Sequence, residues 1–295
     1  MVFSLFRRKS AKKRRPPADG NIYFTDLGSE QVTKVPYLLA HDVSEQNRLD
    51  FQHFFLKGIL GKNYLAPLVS PLTILDVGSG TGRWVAEMAQ EFPNARVTGI
   101  DVAPAPPPTT SINAHFVQQD ILKGLPFLSA SFDYVHARLL VAAIPVAAWP
   151  GLLQEYLRVV RPGGWIELFE GGTTFVNIGP LTQQYLQWWN QVSQQRGIDA
   201  SYIEQLPSLM ATLNMQNIQA KTLHVPVGEW GGRVGVMLRT NMYSGWGALK
   251  EMFVSQAKVA PDLFDRVFQG LPQEWEQRYT MYEYLSVIGQ ASSNT

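Results

Sequence analysis

The sequence contains no cysteine, which excludes disulfide bridges, thiolate metal sites and a thiol nucleophile. It has no long hydrophobic run. The apolar stretch at residues 139–149 is interrupted by Pro145 and is too short for a membrane span. Histidine is scarce: five residues, at positions 41, 53, 115, 136 and 224, with no spacing that suits a metal site. No internal repeat is present. With 295 residues, 45% of them hydrophobic and 12% aromatic, what remains is a packed globular chain of one large domain with additions.

The net charge of +1 conceals an asymmetry. Seven of the 25 basic residues but only one of the 24 acidic residues fall within the first twenty positions, so the rest carries about −5. Residues 1–20, ending in Arg14-Arg15-Pro16-Pro17, read as a solvated, disordered basic tail. A nuclear localisation signal, a nucleic-acid-binding arm and a weak membrane anchor through Val2, Phe3, Leu5 and Phe6 are the sharper alternatives. Arg7-Arg8 is not followed by an apolar segment, so no signal peptide is expected. Basic and aromatic residues do not interleave elsewhere, and no nucleic-acid partner is expected.

The most informative stretch is residues 72–101. An apolar run, Leu72-Thr73-Ile74-Leu75, predicts a buried strand. Glycines follow at alternate positions, Gly78, Gly80 and Gly82, and then a helix with Trp84, Val85, Met88 and Ala89 on one face. A second strand, residues 96–100, ends on Asp101. Such a strand–glycine turn–helix–strand unit lets a ligand approach the backbone closely. It also presents helix N-terminal N–H groups to negative charge and offers an acid to ribose hydroxyls. The expectation is a nucleoside-containing ligand at the carboxyl edge of a parallel sheet.

A dinucleotide site calls for G-x-G-x-x-G. This chain has G-x-G-x-G, preceded two residues earlier by Asp76, and lacks a recognisable Tyr-x-x-x-Lys dyad. The segment Asp76-Val77-Gly78-Ser79-Gly80-Thr81-Gly82 resembles motif I of the class I S-adenosylmethionine (SAM) methyltransferases, (D/E)-x-G-x-G-x-G. Further ordered matches are Asp101, Asp120, Phe132-Asp133 and Arg161-Pro162-Gly163-Gly164. The stretch His41-Asp42, Glu45-Gln46-Asn47-Arg48-Leu49-Asp50 and Gln52-His53 resembles the (D/E)-E-x-x-R-L-x-x-Q-H segment of a subgroup that includes the fungal LaeA-like regulators.

The resemblance implies a Rossmann-like α/β fold. Its sheet would have seven strands, mostly parallel, with the last antiparallel. A helical extension at 21–70 would precede the SAM-binding domain at 71–295, and helical insertions would lie near 172–200 and 234–278. It implies SAM contacts from Asp76, Gly78, Ser79, Gly80, Gly82, Asp101, Val102, Asp120 and Ile121, and from Arg48 facing the SAM carboxylate. His136 and Arg138, at the end of the fourth strand, would lie near the transferable methyl group. His53 or Tyr37 would line the substrate side. Each local alternative stays open: Arg48 as a surface charge, His53 as a packed core residue, Asp120 as a helix N-cap. His136, His53 and Glu170 are the candidate bases, and no spacing singles one out.

Trp188, Tyr243 and Trp246 are candidates for a hydrophobic substrate pocket, though such residues are more often ordinary core. The expected activity is methyl transfer to a small apolar or aromatic acceptor, in the setting of secondary metabolism. The alternative is a LaeA-like regulator or protein methyltransferase that acts through partners. A cytoplasmic location, or a nuclear one in a eukaryote, is expected, and a homodimer is left open.

Overall fold

The computed structural model describes residues 43–103 and 111–293; the basic tail and Tyr37 lie outside them. In chain order the main elements are α1 (Val43–Leu60), β1 (Thr73–Val77), α2 (Arg83–Glu91), β2 (Arg96–Asp101) and β3 (Ala114–Gln118). β4 (Phe132–Arg138), α3 (Trp149–Val159), β5 (Val160–Val176) and α4 (Pro180–Gln194) follow. The last part comprises α5 (Leu206–Thr212), β6 (Gln216–Pro226), α6 (Gly232–Gly247), α7 (Lys250–Gln256), α8 (Pro261–Arg278) and β7 (Met281–Gln290).

The strands form one seven-stranded sheet in the order β3-β2-β1-β4-β5-β7-β6. β1 to β5 pair in parallel, and β7 runs antiparallel to both β5 and β6. β1 is buried along its whole length, as a central strand covered on both faces must be. On one face, Trp84, Val85, Met88 and Ala89 of α2 pack on Ile74, Val97 and Tyr134. These are the four α2 positions that the sequence periodicity selects. On the other face α3 and α5 cover Leu75, Val135, Ile166 and Leu168. A third core joins α1, α4, α6, α7 and α8 over one end of the sheet. The strand order reverses between β1 and β4, so a crevice opens beyond their carboxyl ends.

Two boundaries differ from the sequence reading. Arg161-Pro162-Gly163-Gly164 is expected to be a turn before a short strand at 165–169. β5 instead begins at Val160 and absorbs those residues as an irregularity in its pairing with β4. Gly163 adopts φ +79° there, and a side chain at Gly164 would meet the Asp133 carbonyl. At its other end β5 continues to Val176 against β7, so residues 172–176 belong to the sheet rather than to an insertion.

The added helices are tied down by buried polar groups. The Glu274 carboxylate of α8 accepts hydrogen bonds from the Leu181 and Thr182 backbone N–H groups (2.8 and 2.9 Å) and from the Thr182 hydroxyl (2.6 Å). It thereby satisfies the exposed donors at the start of α4. Among the described residues no helix is long and apolar enough to cross a membrane.

Candidate active site

A cavity of about 1000 Å3 occupies the crevice beyond β1 and β4. One end is the glycine loop between β1 and α2. Gly78, Gly80 and Gly82 all have positive φ (74°, 52° and 73°), a conformation costly for other residues. A Cβ at Gly78 would run into the Leu140 side chain. The loop is anchored by Gly78 N and Ser79 N, which donate to the Ile100 carbonyl at 2.8 and 3.1 Å. The Asp101 carboxylate accepts from Gly80 N and Ala103 N, both at 2.8 Å, so it is fixed at the end of β2 facing the loop. Ser79, Val102 and Ile121 also line the cavity. Asp120 lines it as well, and its carboxylate caps the following turn by accepting from Leu122 N at 3.0 Å. The N-cap and cavity readings of Asp120 therefore hold together.

α1 closes this end. Leu49 packs 3.7 Å from the Cβ position of Gly80. Asp50 accepts from the Thr81 hydroxyl (2.6 Å) and from Arg83 Nε (2.8 Å), joining the helix to the loop. Arg48 lines the cavity, but its guanidinium is engaged by both Glu45 oxygens (2.6 and 2.7 Å) and by Asn241 Oδ1 (3.1 Å). It is a bridge between α1 and α6.

The two candidate histidines lie in different places. His136 does not line the cavity. It is buried behind Asp76, with Nδ1 2.7 Å from Asp76 Oδ1 and the ring stacked on Trp84 at 4.1 Å. It orients the Asp76 carboxylate, which does line the cavity. His53 lines the cavity, with Nδ1 3.2 Å from Arg138 Nη2 and Nε2 3.2 Å from Glu87 Oε1. A guanidinium can only donate, so Nδ1 is the acceptor and the imidazole carries its proton on Nε2. Burial, with the adjacent Arg138 charge, holds the His53 pKa below its usual value, so the ring is neutral. Glu170 lies off the cavity wall. Burial raises its pKa to about 8, and its two oxygens accept from Leu140 N and Val141 N, both at 3.0 Å. All three candidate bases thus have structural partners.

The other end of the cavity is aromatic: Phe175, Tyr185, Trp189, Trp246, Tyr282 and Tyr284. Tyr185 stacks on Trp246 at 4.1 Å and donates its hydroxyl to the Trp246 carbonyl at 2.9 Å. Of the three aromatic residues singled out by sequence, Trp246 lines this end. Trp188 faces the neighbouring core against Phe253 and Phe264. Tyr243 stacks on Phe268 at 4.1 Å, outside the main cavity. Arg138, Asp50, Tyr185, Trp189, Tyr282 and Tyr284 are among the other residues that line it. Arg138 is the one with a local signal, since it ends the β4 segment two residues after His136.

The chain is similar to known proteins in both sequence and fold. Residues 74–164 match the family described as a methyltransferase domain. The chain is 28% identical over 283 residues to "Methyltransferase str2" of Strobilurus tenacellus, covering 89% of this chain and 98% of that protein. It is 28% identical over 212 residues to "Secondary metabolism regulator LAE1" of Cochliobolus heterostrophus, covering 66% and 67%. Among solved structures, a chain of the Haloferax volcanii complex between the Trm112 methyltransferase activator and a candidate methyltransferase aligns with TM-score 0.50 at 16% identity. That alignment covers 85% of this chain and 95% of that one. Residues 74–164 carry a methyltransferase domain, and the strand order with its surrounding helices is the fold of the class I SAM-dependent methyltransferases. The chain's relatives include proteins named as methyltransferases and two named as secondary metabolism regulators.

Proposed function

We propose that the chain transfers a methyl group from SAM to a small acceptor that is apolar or aromatic. The observation carrying this reading is the continuity of one cavity from the glycine loop to the aromatic wall. Its volume of about 1000 Å3 lies at the upper limit usual for a single ligand and suits a cofactor with an acceptor beside it. The loop fits SAM chemically. Its glycines leave room at the backbone, Asp101 offers a fixed acceptor for ribose hydroxyls, and Asp76 offers a carboxylate to the methionine ammonium. Asp120 and Ile121 would hold the adenine.

When bound, SAM supplies a methyl group that its sulfonium already makes electrophilic. The chain's residues then have to orient the acceptor and exclude water. α1 covers the loop through Leu49 and Asp50, and the aromatic wall holds the acceptor. Because His53, His136 and Glu170 are already committed to partners, the site favours an acceptor that needs no protein base.

The test is calorimetric titration of the full chain with SAM, its demethylated product and NADH. SAM and its product should bind and NADH should not; binding of NADH alone would defeat the reading. The similarity to a relative named as a regulator favours a second reading, in which SAM binding or protein methylation acts through partners. Turnover of a small acceptor by protein lacking residues 1–20 supports the first. A protein partner captured only when those residues are present supports the second.

A further inference from the structure

Charges on the cavity wall are paired, with one exception. Arg48 is held by Glu45, and Arg83 by Asp50. Asp76 is held by His136, while Asp101 and Asp120 accept from backbone N–H groups. Arg138 also lines the cavity, and among the described residues its one hydrogen bond runs to His53 Nδ1, a neutral acceptor. No ion pair ties it to a carboxylate among those residues. A guanidinium carries five N–H donors, so most of its donor capacity is unused. Burial disfavours its charge, and the fields of nearby Asp76 and Glu167 support it only in part. An anion brought to this group gains a desolvated, charge-assisted contact.

The backbone sets what that anion would meet. In the β1/β4 register Asp76 lies beside His136 and Val77 beside Ala137, which puts Arg138 next in line at the edge of the glycine loop. Arg138 pairs with Phe169 across β5, close to the strand residue Gly171 that opposes Tyr284. It therefore stands where the loop end of the cavity meets the aromatic end. Asp76 and Arg138 are opposite charges on one wall.

We propose that Arg138 is the carboxylate receptor of the cavity. This rests on the methyltransferase reading above. Two carboxylates fit: that of the methionine moiety of SAM, whose ammonium would face Asp76, and that of an acidic acceptor against the aromatic wall. The role implied for Arg48 by resemblance passes to Arg138, because Arg48 is already neutralised by Glu45.

The experiment is calorimetry on the full chain and on R138M and R138K. The ligands are SAM, decarboxylated SAM (the same molecule without that carboxylate) and, on protein saturated with demethylated product, 2-naphthoate. Loss of a charge-assisted contact should cost about tenfold or more in affinity. If SAM is the source, wild type prefers SAM to decarboxylated SAM by that factor and R138M loses the preference. If the acceptor is the source, the SAM preference survives and R138M loses 2-naphthoate binding. R138K keeps the charge without the planar fork and should fall between; it carries the comparison if R138M does not fold by circular dichroism. Equal binding of all three ligands by wild type and variants overturns the proposal and leaves the methyltransferase reading intact. A wild type that binds neither form of SAM overturns both.

Discussion

The two ends of the cavity are built by different means. The loop end is made of backbone: three positive-φ glycines at alternate positions, N–H groups anchored on Ile100, and a carboxylate locked between two N–H donors. The aromatic end is made of side chains from separate elements, with Phe175 on β5, Tyr185 and Trp189 on α4, Trp246 on α6, and Tyr282 and Tyr284 on β7. Backbone geometry tolerates few residue types, whereas an aromatic wall can exchange one ring for another if volume is kept. The loop end should thus be intolerant of substitution, and the aromatic end adaptable in what it accepts.

The largest effect should come from Gly78→Ala. Left-handed strain of about 1–2 kcal/mol is joined by displacement of the Leu140 side chain, whose methyl group the new Cβ would meet. Urea unfolding should show the loss, and calorimetry a collapse of SAM binding; a variant that binds SAM like wild type would erase the contrast between the ends.

Next in size is the pH response of Glu170, which holds the Leu140–Val141 backbone at the seam between them. Its pKa is raised from 4.5 to about 8 by burial. Between these values the folded protein keeps a proton that the unfolded chain has released, so stability falls as pH rises through this window. In Glu170→Gln that part of the slope should vanish when urea midpoints are compared across the same pH range. Equal slopes would show that Glu170 is not the titrating group.

Asp101→Asn should weaken SAM binding by about 10–100-fold, the worth of a hydrogen bond to a charged group, while leaving the fold in place. Tyr185→Phe is the mildest. Losing the bond to the Trp246 carbonyl should cost about 0.5–1.5 kcal/mol in thermal stability and leave SAM affinity unchanged. A tenfold fall in SAM affinity there would mean that the two ends are not separable.

The same contrast explains what the sequence disclosed. The loop was legible because its determinants are contiguous: Asp76 to Gly82, then Asp101, joined by a helix whose apolar face has helical spacing. The aromatic end was not, because adjacent helical residues point about 100° apart. Trp188 and Trp189 look equivalent in a string of letters, yet one enters the core and the other lines the cavity. Tyr243 and Trp246 part company in the same way. The environment of His136 was equally hidden. Its partners, Asp76 and Trp84, sit on a neighbouring strand and on α2, and only the β1/β4 register brings them together. The length of β5 is hidden in the sequence because Pro162-Gly163-Gly164 ordinarily ends regular structure, whereas here pairing resumes beyond it.

Glu274 sets a rule for anyone who would transplant acceptor preference between relatives. The segment that carries Tyr185 and Trp189 begins at a helix whose first donors are satisfied by a carboxylate about ninety residues further on. Grafting residues 172–200 alone would leave that carboxylate buried beside foreign groups and the new helix start without its acceptor, a cost of about 1–3 kcal/mol or more. The unit of exchange is therefore α4 together with α8, two stretches far apart in the gene that must be swapped as a pair.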